Sequence, residues 1–439
     1  MIVMKFGGTS VGDAKIIKEV AEIIKSKLSQ KPVIVVSAVK TVTNLLIDLA
    51  QKSAEGDIDA VFRQIEKVHM GIINGLGLEK SILDKDLASL AKIAGKIKLR
   101  GSYNKKMLDE VKSYGERMSS KIVAARLRKI GVNAEAFNAY DIGFITNRDF
   151  GNADIINESY SLIRKSIESI KSVPVVTGFI GKTAKGEITT LSRGGSDYTA
   201  SIIGAAINAE EIQIWTDVDG IMSTDPKLVK TTRIVDTLSF EEASELAYFG
   251  ARVLHPKTML PPMEKGIPVR VMNTFKPGNG TLIKNKAERE DHVVKAFAFK
   301  KSITLIKITS LRMLGAYGFL AQIFVIFEKY RKSIDVIATS EVSVSLTVDN
   351  EQDLGEIIKD LEEFSTVTVM KGRAIICAVG EGMKHQHGVA GRIFNAMGKS
   401  NINVEMISQG ASEINITFIV KNEDADRSLE ILHDEFFGA

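Results

Sequence analysis

The chain opens with IVMKFGGTSVG, residues 2–12, in which a strand-like run ends in a glycine-rich loop. Apolar residues typical of a β-strand lead into Lys5, and two glycines and two hydroxyl residues follow. Gly7 and Gly8 let the backbone approach a ligand closely. If a helix begins just after them, its free N–H groups favour an anion, to which Lys5 adds a compact positive charge. The alternative is a simple tight turn with a solvated lysine, because this stretch is neither a Walker A nor a G-x-G-x-x-G motif.

Strand-like runs alternate with amphipathic runs over the first 285 residues. AKIIKEVAEIIKSKL (14–28) is apolar at helical spacing, and PVIVVSAV (32–39) is a continuous apolar run, as in a strand covered on both faces. Strands separated by helices predict a parallel-rich sheet with helices on both faces, and residues 48–130 are interpreted as a helical insertion that covers it. The further strand candidates are AEAFNA (134–139), PVVTGFIG (174–181), IQIWTDVDG (212–220) and PVRVMN (268–273).

An internal repeat follows residues 277–291, where glycine, proline and charge cluster and predict a boundary. GFLAQIF (318–324) matches GVAGRIF (388–394), and SEVSVSLTV (340–348) matches SEINITFIV (412–420). Each copy is interpreted as strand, glycine-containing loop, helix, strand, turn and strand. We predict two duplicated units that pack together, since each is too small to bury much core alone.

The composition is typical of a globular protein of two or three domains: of 439 residues, 44% are hydrophobic and 26% charged. The net charge of +4 gives no reason to expect nucleic acid as the main partner. We expect no membrane span, since no apolar run reaches the roughly 18 residues required, and no secretory leader. The single cysteine, Cys377, lies in AIICAV and is expected in the core of a protein in the reducing cytoplasm.

Two stretches carry polar residues that have both a structural and a ligand-binding explanation. In VVSAVKTVTNLL (35–46), Thr43 could cap a helix, or Ser37 and Thr43 could be donors at the carboxyl end of a strand, where open α/β sheets bind ligands. In SYGERMSSKIVAARL (113–127), we place Glu116 at the start of a helix, where the dipole alone favours a carboxylate. Taken singly, Glu116 is more often a capping residue than a ligand.

The composition of an anion site is clearest in ITTLSRGGSDYTASIIGAAI, residues 188–207. Arg193 precedes two glycines and a helix of small residues, and a guanidinium pairs bidentately with carboxylate or phosphate. Asp197, at the start of this helix, could cap it, hold a metal ion or orient the lysine of the first strand. The spacing alone does not separate these roles.

The last two stretches are more ambiguous. IWTDVDGIMSTDPKLV (214–229) is either a plain acidic turn or a nucleotide-binding loop. In FGARVLHPKTMLP (249–261), His255 is expected to be a core or hydrogen-bonding residue. The sequence has no metal-binding spacing of the His-x-x-His, Cys-x-x-Cys or HExxH kind and no nucleophile–base pair of the hydrolase kind.

Taken together, the motifs KFGGTS, SAV..VTN, GERMSS, RGGSDYTA, WTDVDGI.STDP and FGA.VLHP, in this order, closely resemble the aspartate kinases (aspartokinases) of the amino-acid kinase family. The repeat is similar to the two tandem ACT modules that follow the kinase domain in these enzymes. The resemblance implies an α/β protein: a three-layer αβα, carbamate kinase-like domain with a parallel-rich sheet (1–285) and two ferredoxin-like (βαββαβ) regulatory ACT domains (300–370 and 371–439).

The implied activity is phosphorylation of the side-chain carboxylate of L-aspartate by ATP with Mg²⁺, the first step of lysine, threonine and methionine biosynthesis. The alternatives are a kinase for another amino acid such as glutamate, against which GERMSS and RGGSDYTA argue, and a catalytically silent amino-acid sensor. Intact Lys5, Arg193 and Asp197 argue against silence. We expect no fused homoserine dehydrogenase. A carboxylate is already ionised at neutral pH, so the chemistry needs cations rather than a general base.

The resemblance also implies roles for individual residues. Lys5 neutralises the transferring phosphate, Asp197 orients Lys5, and Arg193 pairs the α-carboxylate of aspartate while Glu116 pairs its α-ammonium. The aspartate-binding positions are Ser37, Thr43, Glu116, Phe179, Arg193 and Ser196. The nucleotide-binding positions are Lys5, Gly7, Gly8, Thr9, Thr216, Asp217, Met222, Lys227, Arg252 and Val253. The family often has tyrosine, arginine and lysine where this sequence has Met222, Lys227 and Arg252. No residue is assigned as a metal ligand, because Mg²⁺ is expected on nucleotide phosphates and water.

The ACT resemblance implies feedback inhibition by an end-product amino acid, for which lysine is favoured over threonine. The candidate effector contacts are Met313, Ala316, Phe319, Leu320, Asp335, Ser340 and Glu341. The alternative is that this face is only a dimer contact. We expect a homodimer or a dimer of dimers through the ACT domains.

Overall fold

The computed structural model describes residues 1–192, 194–250, 254–286, 292–313 and 317–438. The chain divides into two compact units. The first comprises Met1–Ile221 and Val253–Lys286, and the second comprises Met222–Arg252 and Ala287–Ala439. Among the described residues, none of the helices combines the length and apolarity that a membrane crossing requires.

The first unit is built on a parallel-rich sheet in the order β3-β5-β2-β1-β8-β10-β11. Neighbouring strands run parallel except β10 and β11, which are antiparallel. A small second sheet has the order β4-β6-β7. With labels in chain order through both units, the strands are β1 (Ile2–Phe6), β2 (Val33–Val36), β3 (Ala134–Phe137), β4 (Ile145–Thr146), β5 (Val173–Thr177), β6 (Ile180–Thr183), β7 (Ile188–Thr190), β8 (Glu211–Thr216), β10 (Val269–Asn273) and β11 (Thr281–Lys284).

Helices cover both faces of this sheet, as the sequence pattern predicts. They are α1 (Ala14–Ser26), α2 (Val42–Ala54), α3 (Asp59–Leu76), α4 (Asp84–Arg100), α5 (Lys105–Lys129), α6 (Glu158–Ser169), α7 (Gly195–Ile207) and α9 (Pro256–Lys265). Side chains alternate along β1, so Met4 and Phe6 join the core formed with α1 to α5. Val3 lies on the opposite face, where a Cβ added to Gly204 of α7 would be 3.8 Å from it. Lys5 shares the face of Val3, which directs it toward α7.

The second unit contains the predicted repeat. Its elements are β9 (Thr237–Ser239), α8 (Phe240–Tyr248), β12 (Ala296–Thr309), α10 (Phe319–Lys329), β13 (Ile337–Thr339), β14 (Ser343–Val348), α11 (Leu354–Glu362), β15 (Thr366–Val379), α12 (Val389–Lys399), β16 (Met406–Ser408), β17 (Asn415–Lys421) and α13 (Ala425–Phe437). The order strand, helix, strand, strand, helix occurs twice, from β12 to α11 and from β15 to α13. The sheet order is β13-β14-β12-β15-β17-β16.

The two long strands β12 and β15 each serve both copies of the repeat. The second half of β12 pairs with β14 and with the first half of β15, whereas residues 296–300 pair with residues 375–379. The register shifts between these halves, where Ser302 and Gly372 adopt positive φ. The first half of β12, residues 296–300, therefore pairs with the second copy of the repeat, although it comes before the first copy in the sequence. Separate cores lie under the helices of each copy.

The structure tests three further predictions of local structure, at residues 174–181, Cys377 and His255. The run 174–181 forms two strands, β5 and β6, rather than one, because Phe179 adopts a left-handed φ of 65° between them. Cys377 is a free, fully buried cysteine, as predicted, and burial raises the pKa of its thiol. His255 accepts a hydrogen bond from the Lys257 amide at the start of α9, which confirms a hydrogen-bonding residue and excludes a core position, since it is exposed.

Candidate active site

Lys5 and Asp197 form an ion pair with 2.6 Å between Nζ and Oδ1. Lys5 lies in β1 between Val35 of β2 and Ile214 of β8, and Asp197 lies in the first turn of α7. Their side chains are only 9% and 14% exposed. A positive charge is thus held in place at the carboxyl end of buried parallel strands, where open α/β sheets bind ligands. Asp197 acts here as the partner of Lys5 and not as the cap of α7.

The glycine loop after β1 is packed closely against its neighbours. A Cβ on Gly8 would be 2.9 Å from the carbonyl oxygen of Ala38, a backbone atom that cannot move aside. A Cβ on Gly7 would be 3.6 Å from Lys5 Nζ, and the Gly7 amide donates to the Trp215 carbonyl at 3.1 Å. Thr9 follows and is half-buried. The loop therefore brings bare backbone beside the ammonium of Lys5.

The helix after this loop begins where the predicted helical run 14–28 begins, and not directly after the glycines. α1 starts at Ala14, and Asp13 caps it by accepting a hydrogen bond from the Ile16 amide at 2.9 Å. The possibility of free helical N–H groups just after Gly8 is wrong, because five residues intervene before the helix and the carboxylate of Asp13 occupies its N-terminus.

The N-terminus of α7 is the one that faces Lys5. It begins at Gly195, with Gly194 at the N-cap position at φ 73°, and no side chain of the described residues caps it. A Cβ on Gly195 would be 2.5 Å from the Phe179 ring, and one on Gly178 would be 2.6 Å from Ser196. These glycines let the helix start approach the loop between β5 and β6. Arg193, predicted to pair with carboxylate, lies outside the described residues.

Phe179 is held in an unfavourable backbone conformation. Its φ of 65° is left-handed, which costs a bulky residue on the order of 1–3 kcal/mol. Its amide donates to Thr199 Oγ1 at 3.0 Å, and its carbonyl accepts from the Leu191 amide at 2.9 Å. Strain of this kind persists where the surroundings fix it, and it concentrates at ligand-binding sites.

Glu116 does not lie at a helix start, so that interpretation is wrong. It lies in the middle of α5, where the helix dipole gives a carboxylate little support. Its side chain is buried, its Oε1 accepts from the Ala38 amide at 3.1 Å, and its Oε2 has no hydrogen-bond partner among the described residues. Burial raises the pKa of Glu116 to about 8. An unpartnered buried carboxylate oxygen of this kind is suited to a cationic ligand.

The two hydroxyl candidates after β2 have different surroundings. Ser37 directly follows the strand, and its amide donates to the Phe6 carbonyl at 3.1 Å. Thr43 is not the cap of α2, so the capping interpretation is wrong: the N-cap is Thr41, at φ 72°, and Thr43 lies inside the first turn. Both predicted ligand-binding side chains are half-buried.

The predicted nucleotide-binding residues are divided between the two units. Thr216 ends β8, its Oγ1 donating to Asp217 Oδ1 at 3.2 Å, and Asp217 is exposed. In the second unit, Met222 bridges to Ile234 and Lys227 is exposed with its amide donating to Asp225 Oδ1 at 2.9 Å. Arg252 and Val253 lie outside the described residues.

The predicted effector contacts lie in the first copy of the repeat. Asp335 Oδ1 and Oδ2 each accept from Lys300 Nζ at 3.2 Å, and Tyr248 donates to Oδ1 at 3.1 Å. Phe319 is buried, and its ring contacts that of Phe364 edge to face. The remaining described candidates are the half-buried Met313 and the exposed Leu320, Ser340 and Glu341. Ala316 lies outside the described residues.

Sequence reasoning missed a buried polar cluster beside Phe179. It consists of Asp109 and Lys112 on α5 and Thr190 at the end of β7. Lys112 and Glu116 are four residues apart in the same helix, and this spacing is the one sequence feature that places Lys112 on the helix face of Glu116. Thr190 is 78 residues away from Lys112 in the sequence, so no local pattern pairs them.

Comparison with known proteins identifies the group to which this arrangement belongs. Residues 1–273 match the amino acid kinase family, and residues 376–436 match the ACT domain. The chain is 40% identical to aspartokinase 1, chloroplastic, of Arabidopsis thaliana over 99% of this chain and 80% of that protein. It is 35% identical to lysine-sensitive aspartokinase 3 of Escherichia coli K12, over 100% and 99% of the two chains. The chain belongs to the aspartokinases of the amino acid kinase family.

Solved aspartokinase structures share the same architecture. The crystal structure of E. coli aspartokinase III in complex with aspartate and ADP matches with a TM-score of 0.84 and 33% identity, covering all of both chains. The same E. coli protein in complex with lysine and aspartate matches with a TM-score of 0.79, covering 100% of this chain and 99% of that chain. The predicted fold class, a parallel-rich kinase domain followed by ACT modules, is confirmed.

Proposed function

We propose that this chain transfers the γ-phosphoryl group of ATP to the side-chain carboxylate of L-aspartate, giving 4-phospho-L-aspartate. This is the first step of lysine, threonine and methionine biosynthesis. The observation that carries the proposal is the buried Lys5–Asp197 pair at the start of α7, in an aspartokinase whose E. coli relative was solved with aspartate and ADP. The kinase is feedback-inhibited by an end-product amino acid.

The chemical difficulty of this reaction is electrostatic. The aspartate carboxylate is ionised at neutral pH, so no general base is required, but it must approach an anionic phosphate. Lys5 offers a fixed ammonium, and the N-terminus of α7 adds the positive end of a helix dipole. Asp197 orients Lys5 through their ion pair. These groups act by lowering the repulsion between nucleophile and phosphoryl group.

Aspartate recognition needs one group for each end of the amino acid. Glu116 receives the α-ammonium on its unpartnered Oε2. The ammonium thereby supplies the hydrogen-bond donor that this buried carboxylate oxygen lacks. Arg193 pairs the α-carboxylate in the bidentate manner of a guanidinium. The pocket is further lined by Ser37, Thr43, Phe179 and Ser196.

The nucleotide lies along the glycine loop and the end of β8. Gly7, Gly8 and Thr9 give backbone access to the phosphates beside Lys5, and the remaining contacts are Thr216, Asp217, Met222, Lys227, Arg252 and Val253. Among the described residues no group of three or more His, Cys, Asp or Glu side chains could hold a metal ion. Mg²⁺ carried by the ATP phosphates and water would supply neutralising charge beside Lys5.

The inhibitor is lysine rather than threonine, bound in the first ACT module. The E. coli relative is named lysine-sensitive and was solved with lysine. The contacts are Met313, Ala316, Phe319, Leu320, Asp335, Ser340 and Glu341. The domain limits 1–285, 300–370 and 371–439 and the cytoplasmic location stay predictions.

A homo-oligomer forms through the ACT modules. α10 and the segment before it expose large apolar side chains, among them Tyr317 and Val325, at 103% and 60% exposure. An apolar surface of this kind on a regulatory module is suited to a second copy of the chain. The even-numbered assembly expected from the sequence, a dimer or a dimer of dimers, remains part of this proposal.

The experiment that tests the function measures ATP-dependent acyl phosphate, trapped as the hydroxamate, with aspartate and with glutamate. Each is assayed alone and with lysine or threonine. The proposal predicts product from aspartate, little from glutamate and inhibition by lysine. Product from glutamate at an equal rate favours the other amino-acid kinase, and absence of product from both favours the silent sensor.

A further inference from the structure

The buried polar cluster of Asp109, Lys112 and Thr190 lies against the candidate aspartate pocket. Asp109, Lys112 and Glu116 are spaced i, i+3 and i+7, so they lie on one face of α5. Glu116 is the predicted partner of the substrate ammonium. Lys112 thus precedes it by one turn on the same face.

Asp109 is a fixed anchor. Its side chain is 1% exposed, its Oδ2 accepts from the amides of Gly151 and Thr190 at 2.8 and 2.9 Å, and its Oδ1 accepts from the Thr190 hydroxyl at 2.7 Å. Its charge is compensated by Lys112, whose Nζ lies 3.1 Å from Oδ1. These donors together fix the position of the buried Asp109 carboxylate.

Lys112 is placed by this anchor. Its ammonium donates to Thr190 Oγ1 at 2.8 Å and lies 5.4 Å from the centroid of the Phe179 ring. This is within the range of a cation–π contact, which is stronger in desolvated surroundings. The Phe179 ring in turn lies against Gly195, where α7 begins. A continuous set of contacts therefore runs from Asp109 to the helix start that carries Ser196 and Asp197.

We propose that Lys112 is a positioning residue for aspartate binding: anchored by Asp109 and Thr190, it supports the Phe179 ring and places positive charge on the helix face that carries Glu116. This inference rests on the proposed function. Burial raises the pKa of Glu116 and the charge of Lys112 opposes that rise, so Lys112 favours the ionised carboxylate. Lys112 acts through Phe179 and Glu116 and has no contact with the reacting atoms.

The alternative is that Lys112 only ties α5 to β7. In that case its replacement lowers stability and leaves substrate affinity unchanged. Lys112→Gln and Lys112→Arg separate the two explanations, since both side chains can donate to Thr190 but only arginine keeps the charge. Lys106→Gln is the matched control: Lys106 lies on the same helix and pairs with Glu187 at 3.1 Å, but its side chain is 48% exposed.

The experiment measures the KM for aspartate, the KM for ATP and the melting temperature of the full-length chain with each substitution. We expect Lys112→Gln to raise the KM for aspartate about tenfold and the KM for ATP less than twofold, on the scale of one lost charged contact. Lys112→Arg retains the aspartate KM within about threefold, and Lys106→Gln changes neither constant.

An unchanged aspartate KM in Lys112→Gln, or equal increases in both KM values, overturns the proposal. If Lys112→Gln does not fold, Lys112→Arg and Asp109→Asn decide: the proposal requires Asp109→Asn to weaken aspartate binding in calorimetry more than Lys112→Arg does, and equal binding in both contradicts it. A wild-type chain that makes no acyl phosphate refutes the proposed function instead, so the two failures are distinguishable.

Discussion

The Nζ of Lys5 lies 2.6 Å from Oδ1 of Asp197, across the gap between β1 and the first turn of α7. Lys5 reaches this position because it shares a strand face with Val3, and that face packs on α7. The pairing makes Lys5 a fixed charge rather than a mobile surface lysine. It is the centre of the proposed phosphoryl-transfer site.

Lys5→Ala is expected to lower kcat for aspartyl phosphate formation by about 10²–10³, because a preorganised charge at the transferring phosphoryl group is lost. The hydroxamate assay measures it, and a melting curve checks the fold. Lys18→Ala, an exposed lysine of α1, is the control and should leave kcat unchanged. Since Asp197 acts through Lys5, Lys5→Ala with Asp197→Asn should be no slower than Lys5→Ala alone. Turnover unaffected by Lys5→Ala would defeat the assigned role.

Arg193→Ala is expected to raise the KM for aspartate about tenfold to a hundredfold, while the KM for ATP changes little, since one bidentate pair with the α-carboxylate is lost. Initial rates at varied aspartate and varied ATP measure the two constants separately. Equal increases in both constants would count against the carboxylate pairing.

Glu116 predicts a pH dependence of aspartate affinity. Burial raises its pKa to about 8, against the opposing effects of the Ala38 amide and Lys112, so without ligand the carboxyl is mostly protonated at neutral pH. Binding of the α-ammonium needs the ionised form, so the KM for aspartate should fall as pH rises from about 6.5 to 8.5, and the KM for ATP should not follow. Glu116→Gln should abolish this trend and raise the aspartate KM at every pH.

The same shift has a consequence for stability. Because the folded pKa of about 8 lies above the ordinary glutamate pKa of 4.5, the folded chain holds the proton more tightly than the unfolded chain. The contribution of Glu116 to the free energy of unfolding is therefore present below about pH 4.5 and is lost as pH rises toward 8. Melting temperatures of wild type and Glu116→Gln should converge at low pH and separate, in favour of the variant, at high pH. A constant difference would show that burial does not govern this carboxyl.

Glu341→Ala is expected to relieve inhibition by lysine without lowering the uninhibited rate. Glu341 is exposed in the three-residue segment between β13 and β14, so its removal should not disturb the core. The concentration of lysine that halves the rate is the measured quantity, and Glu351→Ala, an exposed glutamate after β14, is the control. An unaltered response to lysine would remove Glu341 from the effector site.

The sequence predicts the sheet and the repeat well because both depend on local patterns. β1 and β2 are apolar runs typical of strands covered on both faces, and α10 and α12 begin with the similar segments 318–324 and 388–394. The sequence places Glu116 at a helix start because the apolar face of the predicted helix begins only at Met118. In the fold, Gly115 lies within α5, where a Cβ would be 2.7 Å from the Ala38 Cβ, so the glycine serves a close approach rather than a helix end.

That approach is also what brings Glu116 to the Ala38 amide, a contact across 78 residues. The Lys112–Thr190 contact spans the same distance in the sequence. Neither leaves a local signal, because each depends on how α5 packs against the sheet. The start of α1 at Ala14 agrees with the predicted helical run 14–28, because the apolar spacing of that run is a local pattern.

The phosphate-binding role of Lys5 is best checked by a crystal structure of this chain with ADP and aspartate. We expect the β-phosphate of ADP within hydrogen-bond reach of Lys5 Nζ and of the backbone of Gly7 to Thr9, and the aspartate ammonium on Glu116. A diphosphate bound well away from Lys5 would contradict it.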